Sequence, residues 1–451
     1  MSHDETMSSG SCGCQEYREL SRRGFLGAVG GTAGAISIAA MAAPAWLPRV
    51  AMAKDYRSTQ RDVMISIFLR GAADGLSMCV PFSEANYYAM RPTIAVPQPD
   101  STATYRCTDL GVSVAGPNGP TGFGLPPGMT ALLPAFQAGQ LLFVHASGST
   151  DPSRSHFDAQ RFMEVGKPRD VSLVTGWLGR HLAATAPATP GSLLRALSIS
   201  TALPRALVGG PLTLPIPNLD TFGLTGSSST VAARTVPIQG MYSDTSDPLR
   251  SVGLNTLSTI DLLNTINFAT YQPAGGAAYP TGSFGTAMKS TAALIKAQVG
   301  VEAIAIDLGG WDTHENQGTV PSGTTPGAMH NLMTTLATAL AAFNTDMTAL
   351  TAPTYSLVCM SEFGRRAAQT GTGTDHGHGN VMIVMGNAIH GGRVLTQWPG
   401  LNASQLYQGI DLQVTTDYRD IVAEIAVNRL GNDDLPNLFP GYTPTFRGVT
   451  L

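Results

Sequence analysis

The chain has 451 residues, only 13% of them charged, and its formal net charge is −4. A weakly acidic balance without basic runs excludes an electrostatic hold on nucleic acid or on a charged membrane surface. The length allows one large α/β core or two smaller ones, and 50 glycines and 30 prolines point to many loops.

The chain opens with a segment that reads as a targeting signal. Arg22 and Arg23 precede Phe25 and Leu26, and a run rich in Gly and Ala leads to "AMA" at Ala51–Ala53, a small-residue cleavage site. The run is too short and too diluted with glycine for a stable membrane anchor. Paired arginines followed by Phe-Leu resemble the signal read by the twin-arginine translocation machinery. Residues 1–53 are therefore expected to direct export, leaving 54–451 as a single domain in the periplasm or outside the cell. Cys79, Cys107 and Cys359 remain in that domain, where a Cys79–Cys107 disulfide and three buried thiols are both compatible with the spacing.

The apolar, β-branched run Val63–Leu69 predicts a buried strand that empties into "RGAADGLS". "MTALLPAFQAG" reads as a short helix and "QLLFVHASGS" as a second strand. "DPSRSHFDAQRFMEVG" reads as a helix capped by Asp151, with Pro152 in its first turn and Gly166 at its end. "LLRALSIS" is a further strand. Residues 203–300 form an insertion: a Pro/Gly/Thr/Ser-rich stretch to about 250, then two helical patterns. "VEAIAIDLGG" returns to strand and loop, and "MHNLMTTLATALAAFNTDMTAL" is a long amphipathic helix. Two more strands, "YSLVCMSEFG" and "NVMIVMG", precede a closing helix in "TTDYRDIVAEIAVNRLG". This alternation predicts an α/β fold with a mostly parallel sheet and helices on both faces.

Reactive residue types recur beside these strands. Asp74 follows the first, and Thr150, Ser153, Ser155 and His156 follow the second. Asp307, Asp312 and His314 follow a third, Glu362 ends a fourth, and "GTDHGHGN", with Asp375, His376 and His378, precedes the last. Loops at one edge of a parallel sheet converge although they are distant in sequence. Asp, Glu and His without cysteine make a ligand set for a divalent metal, zinc first, with manganese, magnesium or calcium as alternatives. Each motif alone reads equally well as a loop hydrogen bond or a helix cap. Ser155 is the first candidate nucleophile and Thr150 its rival, because a hydroxyl at a helix start faces free N–H groups that favour an anion. Arg154, Arg365 and Arg366 are candidates to bind an oxyanion. The glycines of the last motif suit a backbone that approaches an ion or oxyanion closely. His145, inside an apolar strand, reads as a satisfied core histidine. Tyr87, Tyr88, Arg91 and Trp177 read as packing.

"FLRGAADGLSMCVPF", "SRSHFDAQRFMEVG", "GWLGR", "DLGGWDTHENQ", "SEFGRR", "GTDHGHGN" and "GGRV…WPGL", occurring together and in order, resemble a bacterial family known as domain of unknown function 1501. That family is similar to the alkaline phosphatase and sulfatase superfamily. The resemblance implies a three-layer α/β/α sandwich, alkaline-phosphatase-like, with a metal centre at the strand C-termini. It matches Asp74 to a metal-ligating Asp after the first strand and the Thr150–Ser155 region to the nucleophile. Asp312 and His314 match an Asp/His ligand pair. The late Asp-His pair has two alignments: Glu362 with Phe363 in place of a ligand, or Asp375 with His376. Thr150 stands where sulfatases carry the cysteine that becomes formylglycine, which argues against ordinary sulfatase chemistry.

The leading expectation is an exported metal-dependent hydrolase of phosphate or related esters. Ser155, Thr150 and Arg154 would be its catalytic residues. Asp74, Asp312, His314, Glu362, Asp375, His376 and His378 are the pool of metal ligands. Its partners would be a small-molecule or polymeric ester and the twin-arginine machinery. The alternative is a non-catalytic binding or assembly protein with a degenerate metal site on the same fold, because fold alone does not establish activity. A metal-free Ser/His hydrolase is weaker, since no nucleophile-elbow sequence is present.

Overall fold

Val63–Leu69 forms β1, a strand in which all seven residues are buried. Odd and even positions go to different cores: Val63, Ile65, Ile67 and Leu69 join one hydrophobic cluster, while Met64 and Phe68 join another. The same division recurs in β8 (Tyr355–Ser361) and β9 (Asn380–Gly386), so these strands are covered on both faces. The helices Ser283–Lys296 and Ala328–Thr348 contribute to the first cluster, and Trp177–Ala184 and Tyr418–Asn428 to the second. The structure is a computed structural model that describes residues 61–224, 228–243, 249–320, 327–349 and 354–451. The targeting signal expected at 1–53 lies outside the described residues.

The result is an α/β fold built on a large, mostly parallel mixed sheet. Its path runs β10 (Arg393–Leu395), β4 (Leu141–Gly148), β9, β8, β1, β7 (Ala303–Leu308), β5 (Ala196–Ser198) and β6 (Thr213–Pro215). A two-residue strand, β11 (Thr416–Asp417), also pairs with β4. All pairings are parallel except those of β9, which is antiparallel to both β4 and β8. The start of β9 therefore lies at the same sheet edge as the ends of β1, β4, β7 and β8.

Several local expectations are corrected. The helix expected from Asp151 begins at His156, with Ser155 at the N-cap. Asp151 instead accepts from the Ser153 amide at 2.8 Å, a side-chain turn that competes with helix initiation. Gly166 does end that helix, at φ +69. "LLRALSIS" yields only the three-residue β5. The 203–250 stretch is not irregular throughout, since β6 extends the sheet; Phe284, Met288 and Leu294 from the helix Ser283–Lys296 that follows lie in the main core. The hairpin β2 (Thr108–Gly116) and β3 (Gly119–Leu125) had no counterpart in the sequence reading. Cys79, Cys107 and Cys359 are buried free thiols, so Cys79–Cys107 is not a disulfide here. No helix among the described residues is long and apolar enough to cross a membrane.

Candidate metal centre

The sequence expectation placed "GTDHGHGN" at the productive edge although it precedes its strand. In a wholly parallel sheet such a loop would emerge at the opposite edge. The reversed direction of β9 resolves this, since Asn380 at its start pairs with Ser147 near the end of β4. The loop is fixed there by backbone contact with its neighbours. Arg365 and His376 form a β-bridge, and the Gly377 amide donates to the Gly364 carbonyl at 2.8 Å. A Cβ at Gly373 would meet the His314 carbonyl oxygen at 2.3 Å, and one at Gly377 would meet the Arg365 carbonyl carbon at 2.3 Å. These glycines serve close packing of one site loop on another, rather than the approach to an ion or oxyanion expected from the sequence.

The three loops bring His156, Asp312 and His376 together, with one donor atom from each within 4.8 Å of the others. Asp312 Oδ1 is the centre. It lies 2.9 Å from His314 Nε2, 3.1 Å from His376 Nε2 and 3.5 Å from His156 Nε2. The Nε2 atoms of His314 and His376 are themselves 3.0 Å apart. His376 Nδ1 faces the Arg154 carbonyl oxygen at 2.9 Å, which can only accept, so the Nδ1 carries the proton and Nε2 keeps its lone pair. His156 Nδ1 likewise donates to Glu362 Oε1 at 2.8 Å. Arg365 Nη2 also donates to Asp312 Oδ1, at 2.6 Å, so that carboxylate already faces one cation; the facing Nε2 atoms of His314 and His376 still need a proton or a metal ion between them.

The electrostatics agree. Burial raises the Asp312 carboxyl, but His156, His314, His376 and Arg365 outweigh it and hold the group far below the ordinary range. Burial lowers His156, but Asp312 and Glu362 reverse this and raise it to about 9. Burial dominates at His376 and lowers it. Burial would raise Glu362 too, yet donation from His156 and Gln160 lowers it. Glu362 Oε1 accepts three hydrogen bonds, from His156, from Gln160 Nε2 at 2.8 Å and from the Gly71 amide at 2.9 Å. A carboxylate held this way orients the imidazole that it faces.

The remaining sequence candidates separate. Asp375 Oδ1 lies 3.5 Å from His314 Nδ1 and so supports that ring from behind. Glu362 is reached by His156 and is not part of the ligating cluster. Asp74 turns away to an ion pair: Arg91 contacts both of its oxygens, at 2.6 and 3.0 Å, with Ser77 and Gln317 as further donors. His378 stacks on Tyr407 with ring centroids 4.3 Å apart, and burial and Arg154 lower it to about 4. Thr150 is exposed, whereas Ser155 is half-buried directly before His156 and its hydroxyl caps nothing. Arg365 is corrected as an oxyanion binder, because its buried guanidinium donates to the carbonyls of Gly71, Ala72, Trp311 and Thr374 and to Asp312. Arg366 lies 3.4 Å from Asp375. His145 is a satisfied core histidine as expected, with Nε2 facing the Cys79 carbonyl and Nδ1 accepting from the Ala146 amide.

His156 was legible as a residue after the second strand but was not chosen as a ligand. The misplaced helix start hid it. With the helix beginning at 156, its first residue and Gln160 one turn later share the face that meets Glu362. Phe363, in the place of an expected ligand, forms an apolar wall, stacking on His156 at 5.1 Å and lying 5.1 Å from His376.

The model of a family described as protein of unknown function (DUF1501) matches residues 268–432, a segment that contains Asp312, His314, Glu362 and His376. No curated protein matches the chain.

Proposed function

We propose that this chain, which belongs to the DUF1501 family, is an exported metal-dependent hydrolase of phosphate or related esters. The observation that carries the reading is the meeting of three imidazole nitrogens on Asp312 Oδ1 from three separate loops. His156, Asp312 and His376 would hold the ion, with His314 beside them and Glu362 and Asp375 orienting the rings. The donor set, nitrogen-rich and without thiolate, suits zinc. A bound divalent ion supplies positive charge that polarises an ester oxygen and lowers the pKa of a hydroxyl. The chain's own part is to present Ser155 at the N-cap of the helix that begins at His156, to exclude water with Phe363, and to fix each imidazole tautomer. We read the fold as a three-layer α/β/α, alkaline-phosphatase-like arrangement; the two cores on opposite faces of the sheet and the single reversed strand support this.

The ligands present serve one ion rather than two. Asp74, the carboxylate that a second ion would need, is neutralised by Arg91. That pairing also favours the second reading, a non-catalytic binding protein on the same fold. Metal analysis after zinc dialysis, with hydrolysis of a panel of phosphate and sulfate esters, separates them. The expected result is one zinc per chain with zinc-stimulated hydrolysis, and lower zinc content in His376→Ala. Zinc without hydrolysis supports the binding protein, and absence of bound metal together with absence of metal-stimulated hydrolysis overturns the hydrolase.

A further inference from the structure

We propose that Arg154 seats the tetrahedral oxyanion of the substrate, positioned for this by the turn Tyr407–Asp411 and coupled to the metal through its own carbonyl. This rests on the metal-centre reading above and names the ligand group that the site takes beside the ion.

Arg154 Nη2 donates to Asp411 Oδ2 at 2.5 Å and to Gln408 Oε1 at 3.1 Å. Among the described residues these are the only hydrogen-bond partners of its guanidinium, and Nε is buried without one. Arg365 and Arg91 have nothing left to give, since each donates from Nε and both Nη atoms. Arg366 also has an unpartnered Nε, but its one ion-pair partner, Asp375, is itself 39% exposed. The Arg154 side chain is also 31% exposed, whereas those of Arg365 and Arg91 are at 0%. Arg154 is therefore reachable and incompletely paired, and unlike Arg366 it is anchored on a fully buried carboxylate, Asp411. A guanidinium fixed through one nitrogen presents the rest of its fork to a planar or tetrahedral oxyanion.

The anchor is built for this rather than being a chance surface pair. Asp411 is fully buried, and its Oδ1 has no hydrogen-bond partner. A buried carboxylate left half-satisfied is costly, and it persists where something else requires it. The turn closes on itself, with the Tyr407 amide donating to the Asp411 carbonyl at 2.8 Å and the reverse bond at 3.1 Å. Gln408 adopts φ +53, a left-handed conformation unusual for its type, and its side chain goes to Arg154. Tyr407 supplies the ring on which His378 stacks. One five-residue turn thus places three side chains around Arg154 and His378.

The other end of Arg154 reaches the metal centre, since its carbonyl accepts from His376 Nδ1 at 2.9 Å. The residue that receives the anion also fixes the tautomer of a metal-binding imidazole. Binding of the ion and of the anion then order the same short loop, and each strengthens the other reciprocally.

The test uses the full chain and inorganic phosphate, with sulfate as a second tetrahedral anion, titrated calorimetrically with and without zinc. Zinc content is measured first on every sample. Wild type is expected to bind phosphate more tightly with zinc than without. Arg154→Ala is expected to lose on the order of 10-fold or more in phosphate affinity at unchanged zinc stoichiometry, with partial recovery in Arg154→Lys. Asp411→Asn and the milder Gln408→Ala, which leaves the buried carboxylate in place, are expected to weaken phosphate by smaller factors. Equal phosphate affinity in all variants, or zinc binding without phosphate binding, overturns the inference and leaves the metal centre standing. Zinc absent from wild type overturns the metal reading and this inference with it.

Discussion

Replacing Asp74 by Asn tests whether that residue is a metal ligand, as its place after the first strand suggests, or part of the scaffold. Both Asp74 and Arg91 are buried, at 1% and 0% exposure, and their oxygens and nitrogens meet at 2.6 and 3.0 Å. Arg91 also donates to the carbonyls of Arg366 and Ala367, and Gln317 bridges Asp74 to Thr374. The pair therefore ties the loops after β7 and β8 from beneath the candidate metal centre. Burial would raise the Asp74 carboxyl, but Arg91 outweighs this and lowers it, so the carboxylate is charged at neutral pH. Removing one charge of a buried pair leaves the other uncompensated and costs about 3–5 kcal/mol. That is a large share of the roughly 5–15 kcal/mol by which a domain is stable. In urea unfolding at pH 7, Asp74→Asn should lose stability of this size while zinc stoichiometry stays at the wild-type value. The double variant Asp74→Asn, Arg91→Met should recover part of the loss, because no unpaired charge remains. A small change in stability accompanied by loss of zinc would refute the scaffold assignment and return Asp74 to the ligand shell.

Two further outcomes follow from other groups. Glu362→Gln keeps the shape but removes the charge that faces His156, so zinc affinity should fall by roughly 10–100-fold, measured by competition with a chelator; an unchanged affinity would remove Glu362 from the support of that ring. His145 is neutral in the native state, lowered to about 4 by burial despite the opposing pull of the Cys79 carbonyl, while the unfolded chain protonates near 6.5. The unfolded state thus binds the extra proton first, and stability is full above pH 6.5 and declines as pH falls to about 4, by about 3 kcal/mol from this group. His145→Asn should flatten that slope, and an undiminished slope would show that other groups produce it. His181, lowered to about 3 by burial and by Arg195, leaves a residual slope of the same sign.

The regular parts of the fold were readable because strand and helix periodicity are local properties. "VMISIFL" and "NVMIVMG" could be assigned as buried strands from seven residues each, and both are. That Asp312, His314 and His376 would come together was readable for a similar reason, since strand-end loops inherit their edge from the strand. What failed depended on competition between local hydrogen bonds. "DPSR" carries every sign of a helix start, yet the Asp151 side chain bonds the Ser153 amide and the Ser153 hydroxyl lies 3.2 Å from the Ser155 amide. That postpones the helix to His156 and turns a residue passed over as a ligand into the one facing Glu362. The role of Asp74 was unreadable because its partner, Arg91, is 17 positions away on a different element.

Strand direction is the remaining lesson, and it bears on why a single reversed strand is worth its topological cost. Each parallel strand delivers one loop to the C-terminal edge, and the connection back to the next strand must cross the full sheet. The β8–β9 connection is different: it stays at that edge, from Glu362 to Asn380, and never crosses. All of its residues are available to the site. Glu362, Arg365, Asp375, His376 and His378 come from this one segment, and its two arms pair with each other through Gly364, Gly377 and the Arg365–His376 bridge. The buried Arg365 then fastens the segment to the loops after β1 and β7 through Gly71, Trp311 and Asp312. An antiparallel strand at this position lets a long, glycine-rich loop be both rigid and close to three other loops. A tight cluster of imidazoles around one carboxylate oxygen needs that combination, because a displacement of about 1 Å in any one loop would separate the donors beyond the reach of a single ion.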